Sequence, residues 1–214
     1  MRKERDIRIM KHIEEYGFIT IKQAHKIFFN DRQTGYDLAR KRLFKLAEQG
    51  HIKGYIDYLS PNPEKIYYLN DKYKSPTKHT ILIMDAYAEI VNLGVKTLHF
   101  KREERWEQSG RRSDGYCIFV MDDYAYEIFI EVKYRMGTDQ VNKVDDINKK
   151  YTEILKSGEC AKKLKNILDT EEELDTYKVI LVVDPYSHKT EWEVDNEKVV
   201  KVDYTFKGIG RILI

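Results

Sequence analysis

The segment around position 122 holds side chains that could hydrolyse a phosphodiester bond. The sequence predicts two apolar strands, at residues 111–121 and 124–133, joined by the turn Asp122-Asp123. A turn centred between the two aspartates places Asp114 directly opposite Glu131, with Lys133 on the same face because strand side chains repeat every two residues. One carboxylate from each strand could bind Mg²⁺ or Mn²⁺, while the lysine positions a water molecule or offsets developing negative charge.

This pattern, Asp-Gly on one strand and Glu-x-Lys on the next, resembles the PD-(D/E)XK nuclease superfamily. Ser113-Asp114-Gly115 departs from the superfamily pattern because it lacks the proline. The resemblance implies catalytic roles for Asp114, Glu131 and Lys133, with Asp114 and Glu131 as the metal ligands. The alternative is that these residue types, which are common at strand ends, contact only water. Apolar residues on both faces of the hairpin favour a site, because a buried acidic pair requires a metal ion or a lysine as partner.

Composition indicates a globular intracellular protein. The 214 residues are 42% hydrophobic, which is enough for one large domain or two small ones. Two cysteines make neither a disulfide framework nor a zinc site, so we expect reduced thiols. No apolar run approaches the roughly 18 residues that cross a bilayer, and the charged start lacks a signal-peptide core. We therefore expect a cytoplasmic protein with no membrane partner.

Charge is distributed unevenly along the chain, although the net charge is only +2. Residues 1–75 hold 16 Lys and Arg against 10 Asp and Glu, whereas residues 76–214 hold 22 against 26. An excess of cations favours contact with nucleic acid. The N-terminal region is therefore the better candidate for a nucleic-acid partner.

The order of elements in this basic region predicts a winged helix-turn-helix domain over residues 1–75. Apolar periodicity predicts three helices, near residues 5–15, 21–29 and 36–49. Thr20 is the expected cap of the second helix. Two strands follow, near residues 51–58 and 65–69, and the prolines between them predict a turn or short wing.

The third helix is the expected DNA-reading element. Its apolar side packs inward through Ala39, Leu43, Leu46 and Ala47. The solvent side and the wing supply cations and a tyrosine that could contact phosphates or guanine edges, namely Tyr36, Arg40, Lys41, Arg42, Lys45, Lys53 and Lys65. The expected partner is double-stranded DNA; a winged helix that reads a palindrome is usually dimeric, so a homodimer is a second candidate partner. The alternative is a solvated basic face on a domain that binds another protein.

Residues 76–214 predict an α/β domain. The expected elements are a helix at 77–93, a strand at 95–100, the hairpin, helices at 139–155 and 159–168, and strands at 177–184 and 198–203. Helix, three strands, helix and strand form the core order of the restriction-endonuclease-like fold. We therefore expect an α+β protein, in which a winged helix-turn-helix precedes a restriction-endonuclease-like domain with a central mixed sheet flanked by helices. Either Glu89 or Asp85 could add an acid from the first helix of this domain.

The chain as a whole resembles the replication-relaxation proteins of plasmids, phages and integrative elements. The resemblance covers roughly residues 5–185 and rests on short motifs, namely Ile66-Tyr67-Tyr68-Leu69, His79, Trp106, Arg112-Ser113-Asp114, Phe129-Ile130-Glu131-Val132 and Lys149-Lys150-Tyr151. It implies a DNA-binding protein of a mobile element, which serves replication, transfer or control of its own genes.

One motif departs from that family. Its members often have Glu-x-Asp after the second strand, whereas this chain has Glu131-Val132-Lys133, the nuclease pattern. Either the protein retains metal-dependent cleavage, with Mg²⁺ or Mn²⁺ as cofactor, or Lys133 only pairs with the acidic residues and the domain is a scaffold without a cofactor. The two hypotheses are therefore a sequence-specific DNA-binding protein and a metal-dependent DNA endonuclease targeted by its winged helix.

Overall fold

A computed structural model describes most of the chain, which divides into two compact units. The described residues are 4–56, 64–69, 75–122, 124–133, 142–169, 175–184, 194 and 197–213, and at 142–146 the description covers the backbone only. Unit 1 is Met1–Ala88 and unit 2 is Glu89–Ile214. Both units combine helices with strands, which confirms the predicted α+β class. The predicted boundary near residue 75 stays a prediction, because residues 70–74 lie outside the described ranges.

Unit 1 begins with three helices and a three-stranded sheet. The helices are α1 (Glu4–Tyr16), α2 (Ile21–Phe28) and α3 (Gly35–Glu48). The strands, which pair antiparallel in the order β1-β3-β2, are β1 (Ile19–Thr20), β2 (Lys53–Ile56) and β3 (Lys65–Tyr68). The three predicted helices and the predicted hairpin strands are confirmed as elements, and β1 is an addition to them. The turn predicted between β2 and β3 lies outside the described residues.

A capping box stabilises the start of α2, and a glycine allows the start of α3 to lie close to the end of α2. The Thr20 hydroxyl accepts a hydrogen bond from the Gln23 N–H at 3.2 Å, and Gln23 Oε1 accepts one from the Thr20 N–H at 3.0 Å. This capping box confirms the predicted Thr20 cap. The start of α3 requires glycine, because a Cβ atom on Gly35 would lie 2.0 Å from the Phe29 carbonyl oxygen.

The first three helices pack around one apolar core. Ile9 and Ile13 of α1, Ala24 of α2, and Leu43 and Leu46 of α3 are almost completely buried. Within α1 and α3 these positions lie three or four residues apart, so each helix buries one face and exposes the other. The predicted core side of α3 is therefore confirmed.

Helix α4 (Lys78–Asn92) contains the boundary between the two units. Its buried apolar residues lie almost all around the helix, namely Ile81, Leu82, Ile83, Met84, Ala86, Ala88 and Ile90. Across the described part of the chain, no helix combines the length and hydropathy that crossing a membrane demands.

Unit 2 contains a five-stranded mixed sheet with helices. The strands, in spatial order, are β4 (Lys96–Trp106), β5 (Arg111–Met121), β6 (Tyr124–Val132), β7 (Thr176–Val183) and β8 (Lys198–Val202). Strands β4, β5 and β6 are antiparallel, whereas β6, β7 and β8 are parallel. Between β6 and β7 the chain forms helices α5 (Asn142–Lys156) and α6 (Glu159–Leu168), and a 3₁₀ helix, Ile209–Ile212, follows β8.

Strand β4 is longer than predicted, because its charged second half continues the strand. The prediction ended near Phe100, but pairing with β5 extends to Trp106. Glu104 is buried within this charged stretch and contacts the ammonium groups of Lys101 and Lys163. Burial raises the pKa of Glu104, but hydrogen bonds from these lysines outweigh it and lower that pKa overall. The charges therefore belong to the strand rather than to a loop.

The core of unit 2 joins the sheet to helices α5 and α6. Trp106, Tyr116 and Phe129 contact one another with ring centroids 5.0 to 5.6 Å apart, and Tyr151 of α5 packs against Phe129. Glu127 is buried on the same side of the sheet and accepts a hydrogen bond from the Tyr116 hydroxyl. Burial raises the pKa of Glu127. This carboxyl group is therefore part of the core.

Candidate functional site

Strands β5 and β6 bring the predicted acidic pair to one end of their hairpin. Gly115 is the register partner of Ile130, and the later pairs follow the same antiparallel register. Continuing that register by one residue places Asp114 opposite Glu131, so the predicted alignment of the two strands is confirmed. Lys133 follows β6 directly, and its N–H donates to the carbonyl of the last residue of β7 at 2.8 Å.

Glu131 is the centre of this site, and its side chain is only 6% exposed. Lys133 Nζ donates to Oε1 at 2.9 Å, Lys150 Nζ donates to Oε2 at 2.5 Å, and the Tyr151 hydroxyl donates to Oε2 at 2.9 Å. Both lysine side chains are also largely shielded from water, at 15% and 16% exposure. Two cations and a hydroxyl thus satisfy a carboxylate whose burial would otherwise be unfavourable.

Asp114 joins the site from β5. Its Oδ2 accepts a hydrogen bond from the Val132 N–H at 2.8 Å, which holds the carboxylate against the end of β6. Burial, followed by the charges of Glu131 and Asp114, raises the pKa of Tyr151 well above its usual value. The Tyr151 phenol therefore stays protonated at neutral pH and remains a donor.

The hydrogen bonds at Glu131 limit how a metal ion could bind. Each carboxylate oxygen has two acceptor positions, and Oε2 already accepts from both Lys150 and Tyr151. Oε1 accepts only from Lys133 among these contacts, so a bound Mg²⁺ or Mn²⁺ would take its protein ligands from Asp114 and from Oε1 of Glu131. Within the described ranges, no group of three or more His, Cys, Asp or Glu side chains is arranged to hold a metal ion.

The acids of α4 differ in their surroundings. Asp85 accepts a hydrogen bond from Gln23 Nε2 of α2 at 2.8 Å, within unit 1. Burial, with the charge of Glu64 adding to it, raises the pKa of Asp85 to about 6. Asp85 is therefore a buried partner of α2, and its suggested place in the acidic cluster stays a prediction. Glu89 is also buried, and its membership of that cluster stays a prediction.

A second candidate surface is the exposed side of α3 in unit 1. Tyr36, Arg40, Lys41 and Lys45, four of the predicted DNA-binding residues, are exposed there. Arg40 Nη2 contacts Asp37 Oδ1 at 3.3 Å, and both side chains are more than half exposed. Exposed pairs of this kind are weak, so a phosphate or a base edge could replace Asp37 as the partner of Arg40.

Arg42 lies on a different side of α3. Two of its guanidinium nitrogens donate to both carboxylate oxygens of Asp6 in α1, and Asp6 is only 1% exposed. The hydrogen bond to Asp6 raises the pKa of Arg42 further above its ordinary value. This bidentate contact gives Arg42 a structural role, and the predicted contact with DNA would compete with it.

The predicted DNA-binding cations of the β2–β3 hairpin lie on both of its strands. Lys53 of β2 is exposed. Lys65 of β3 is half-buried, and its Nζ lies 5.5 Å from the ring centroid of Phe44 and 5.3 Å from that of Tyr67. Both distances are within the range of cation–π contact. Lys65 therefore joins β3 to the exposed side of α3.

A cleft of about 540 Å³ lies between α1 and α3. Phe29 and Leu38 line it together with the charged residues Glu4, Asp6, Arg5, Arg32, Lys41, Arg42 and Lys45. The cations outnumber the acids, which makes this side of unit 1 electrostatically suited to an anion such as a DNA phosphate.

Three residues of these two surfaces are absent from the predicted site set. Lys150 and Tyr151 stand in the motif that supports the family resemblance, but no local signal indicates that α5 turns them toward Glu131. Phe44 is 51% exposed and lies four residues after Arg40 on α3. That spacing, which aligns side chains along one helix face, is the signal that could have found it.

Comparisons with protein-family models, with curated proteins and with solved structures found no match to this chain.

Proposed function

We propose that this protein binds double-stranded DNA in the cytoplasm through unit 1, with α3 as the recognition helix of a winged helix-turn-helix. The observation that carries the proposal is the division of α3 into two faces. One face is buried through Ala39, Leu43 and Leu46, and the other presents Tyr36, Arg40, Lys41 and Lys45 to solvent. Because the buried face holds α3 in the core, the exposed face can enter a major groove without any loss of core packing.

The neighbouring elements support the same proposal. The β2–β3 hairpin adds Lys65 beside Phe44 of α3 and an exposed Lys53 on its other strand, as the wing of such a domain would. Cations at several points of one surface are suited to the phosphates on both sides of a groove. Arg40 is the best candidate for a base contact, because it is exposed and its contact with Asp37 is weak.

Unit 2 has the strand directions that a restriction-endonuclease-like domain requires, three antiparallel strands followed by parallel ones. On this basis, and on the resemblance to replication-relaxation proteins, the protein serves a mobile element in replication, transfer or control of its own genes. Unit 2 then acts as a scaffold for dimerisation, partner contact or additional DNA contact.

Gel-shift titration at fixed salt tests DNA binding, using duplexes from the gene's own neighbourhood. Arg40→Ala should weaken binding about tenfold, and Lys41→Ala should weaken it less, because a base contact contributes more than one phosphate contact. Lys96→Ala is the matched control, since Lys96 is an exposed lysine of β4 in unit 2. Equal affinities for all four proteins would contradict the proposal.

A metal-dependent DNA endonuclease is the second candidate function. It is favoured by the meeting of Asp114, Glu131 and Lys133 at one strand end, with Lys133 Nζ 2.9 Å from Glu131 Oε1. Mg²⁺ or Mn²⁺ held by the two carboxylates would polarise a phosphodiester and activate water. Lys133 would then offset charge that develops on the phosphate.

Incubation with supercoiled plasmid and Mg²⁺ or Mn²⁺, followed by removal of the protein, tests this second function. Nicked or linear product should appear with the native protein and disappear with Asp114→Asn and with Lys133→Ala. Lys149→Ala is the control, because Lys149 is exposed on α5 next to Lys150. Product that persists equally in the two site variants would show that the cut does not come from this site.

A further inference from the structure

The exposed side of α3 carries an aromatic ring that a purely electrostatic surface does not require. Phe44 is 51% exposed, which is the largest exposed fraction among the large hydrophobic side chains that the structure describes as exposed. Tyr36, on the same helix, is 47% exposed. Tyr36, Arg40 and Phe44 are spaced four residues apart, so they form one stripe along the helix.

A cation contacts this ring, and a second cation lies one turn earlier on the helix. Lys65 Nζ of β3 lies 5.5 Å from the Phe44 ring centroid. Burial raises the pKa of Tyr67 in β3, and the positive charge of Arg40, one turn before Phe44, opposes part of that rise. The apolar ring therefore lies beside the ammonium group of Lys65 of the β2–β3 hairpin, and Arg40 precedes it by one turn on α3. A ligand that covers it must combine an apolar group with negative charge.

On the basis of the proposed DNA-binding function, we propose that Phe44 recognises thymine by contacting its 5-methyl group in the major groove. The thymine methyl is the one apolar group that base pairs present in that groove, and a phenyl ring is among the side chains that contact it. The flanking phosphates supply the negative charge that suits Lys65, while Arg40 remains available for a neighbouring base edge. Phe44 is thus a specificity-determining residue, distinct from the cations that contribute affinity for any sequence.

A second copy of the chain is the competing occupant of this stripe. In a two-fold dimer the same patch would face itself, so Arg40, Lys41, Lys45 and Lys65 would meet their own counterparts. Among the residues of α3, Asp37 and Glu48 are the acids that would oppose them. Like charges across an interface are unfavourable, whereas a DNA duplex is complementary to them. The charge pattern therefore favours DNA over self-association.

The experiment uses the full-length protein and compares thymine with uracil. Duplexes bound from a random-sequence library are sequenced, and the best site is synthesised with thymidine or with deoxyuridine, which lacks only the methyl group. Native protein should bind the deoxyuridine duplex about fourfold more weakly for each methyl that Phe44 covers. Phe44→Ala should bind both duplexes equally, and Phe44→Leu should retain part of the preference. Leu98→Ala, an exposed apolar residue of β4, is the control and should keep the native preference.

Each alternative result has a distinct meaning. If the native protein binds a selected duplex but does not distinguish thymine from uracil, the inference is wrong and the proposed function stands. If it selects no DNA at all, the proposed function fails and the inference fails with it. If Phe44→Ala converts a dimer to a monomer in sedimentation while the preference for thymine is unchanged, Phe44 is a self-association contact, which also overturns the inference.

Discussion

At the scale of single residues, two arginines on α3 have opposite surroundings. Arg42 neutralises the buried Asp6, whereas Arg40 contacts the exposed Asp37. Arg42→Ala should lower the free energy of unfolding by about 2 kcal/mol, because it leaves a buried carboxylate without its charged donor. Arg40→Ala should change it by less than about 0.5 kcal/mol, since exposed pairs contribute little. Urea denaturation of the two variants makes the comparison.

The two arginine substitutions should affect stability and DNA binding separately. Arg40→Ala should weaken DNA binding while leaving stability nearly unchanged, and Arg42→Ala should do the reverse if its role is structural. Asp6→Asn in the Arg42→Ala background should recover part of the lost stability, because it removes the buried negative charge that Arg42 neutralises in the native protein. Loss of stability in Arg40→Ala as large as in Arg42→Ala would contradict the roles that the contacts assign.

The raised pKa of Asp85 predicts that the free energy of unfolding depends on pH. Burial raises its pKa from 3.8 to about 6, so the folded protein binds this proton more tightly than the unfolded chain does. The group therefore favours folding fully at a pH below its unfolded pKa, and this contribution is lost as pH rises through the folded pKa. Relative to the native protein, Asp85→Asn should gain about 2–3 kcal/mol in free energy of unfolding between pH 4 and pH 7.

Urea denaturation at several pH values tests that dependence. The informative quantity is the difference between Asp85→Asn and the native protein, because it cancels other titrating groups. Asp175→Asn serves as control, since Asp175 is exposed. A difference that is the same at pH 4 and pH 7 would show that Asp85 does not titrate abnormally.

At the scale of elements, the passage from α2 to α3 depends on one glycine. A Cβ atom on Gly35 would lie 2.0 Å from the Phe29 carbonyl oxygen and 2.7 Å from the His25 ring. Gly35→Ala should therefore force α3 away from α2 and lower the free energy of unfolding by about 2 kcal/mol or more, as overpacking does. Because α3 carries the proposed recognition face, DNA affinity should fall as well.

Thermal unfolding followed by circular dichroism measures the effect of this substitution. Gly210→Ala is the matched control, because its added Cβ would meet no atom nearer than Leu93 Cδ2, at 4.0 Å. That control should change the melting temperature by only a few degrees in either direction. A Gly35→Ala protein that melts together with the control would contradict the close approach of the two helices.

At the scale of the whole molecule, charge is divided between two regions of opposite sign, with the cations in excess over residues 1–75. If that region contacts DNA phosphates, the logarithm of the binding constant should fall linearly with the logarithm of salt concentration. Lys45→Gln should reduce the slope by about 1 and weaken all sequences alike. Lys96→Gln, in the acidic region, should leave the slope unchanged, and an equal effect of both would contradict localisation of DNA binding to unit 1.

The sequence by itself determined the features that depend on neighbours along the chain. The α+β class, the helices of unit 1, the Thr20 cap and the alignment of Asp114 with Glu131 follow from periodicity, capping chemistry and a tight turn. These signals act within a few residues, where the covalent chain already restricts geometry. The charged half of β4 was missed because charge suggests a loop, although Lys163 of α6 neutralises Glu104 there.

Only the tertiary structure decided which side chains meet across distant segments. Lys150 and Tyr151 reach Glu131 from α5, Arg42 turns to Asp6 of α1, and Asp85 contacts Gln23 of α2. Each contact joins residues at least nineteen positions apart, so it depends on how helices pack rather than on local pattern. The apolar period of a helix predicts which of its faces is buried. The packing of that face against other elements then decides which charged groups come into contact.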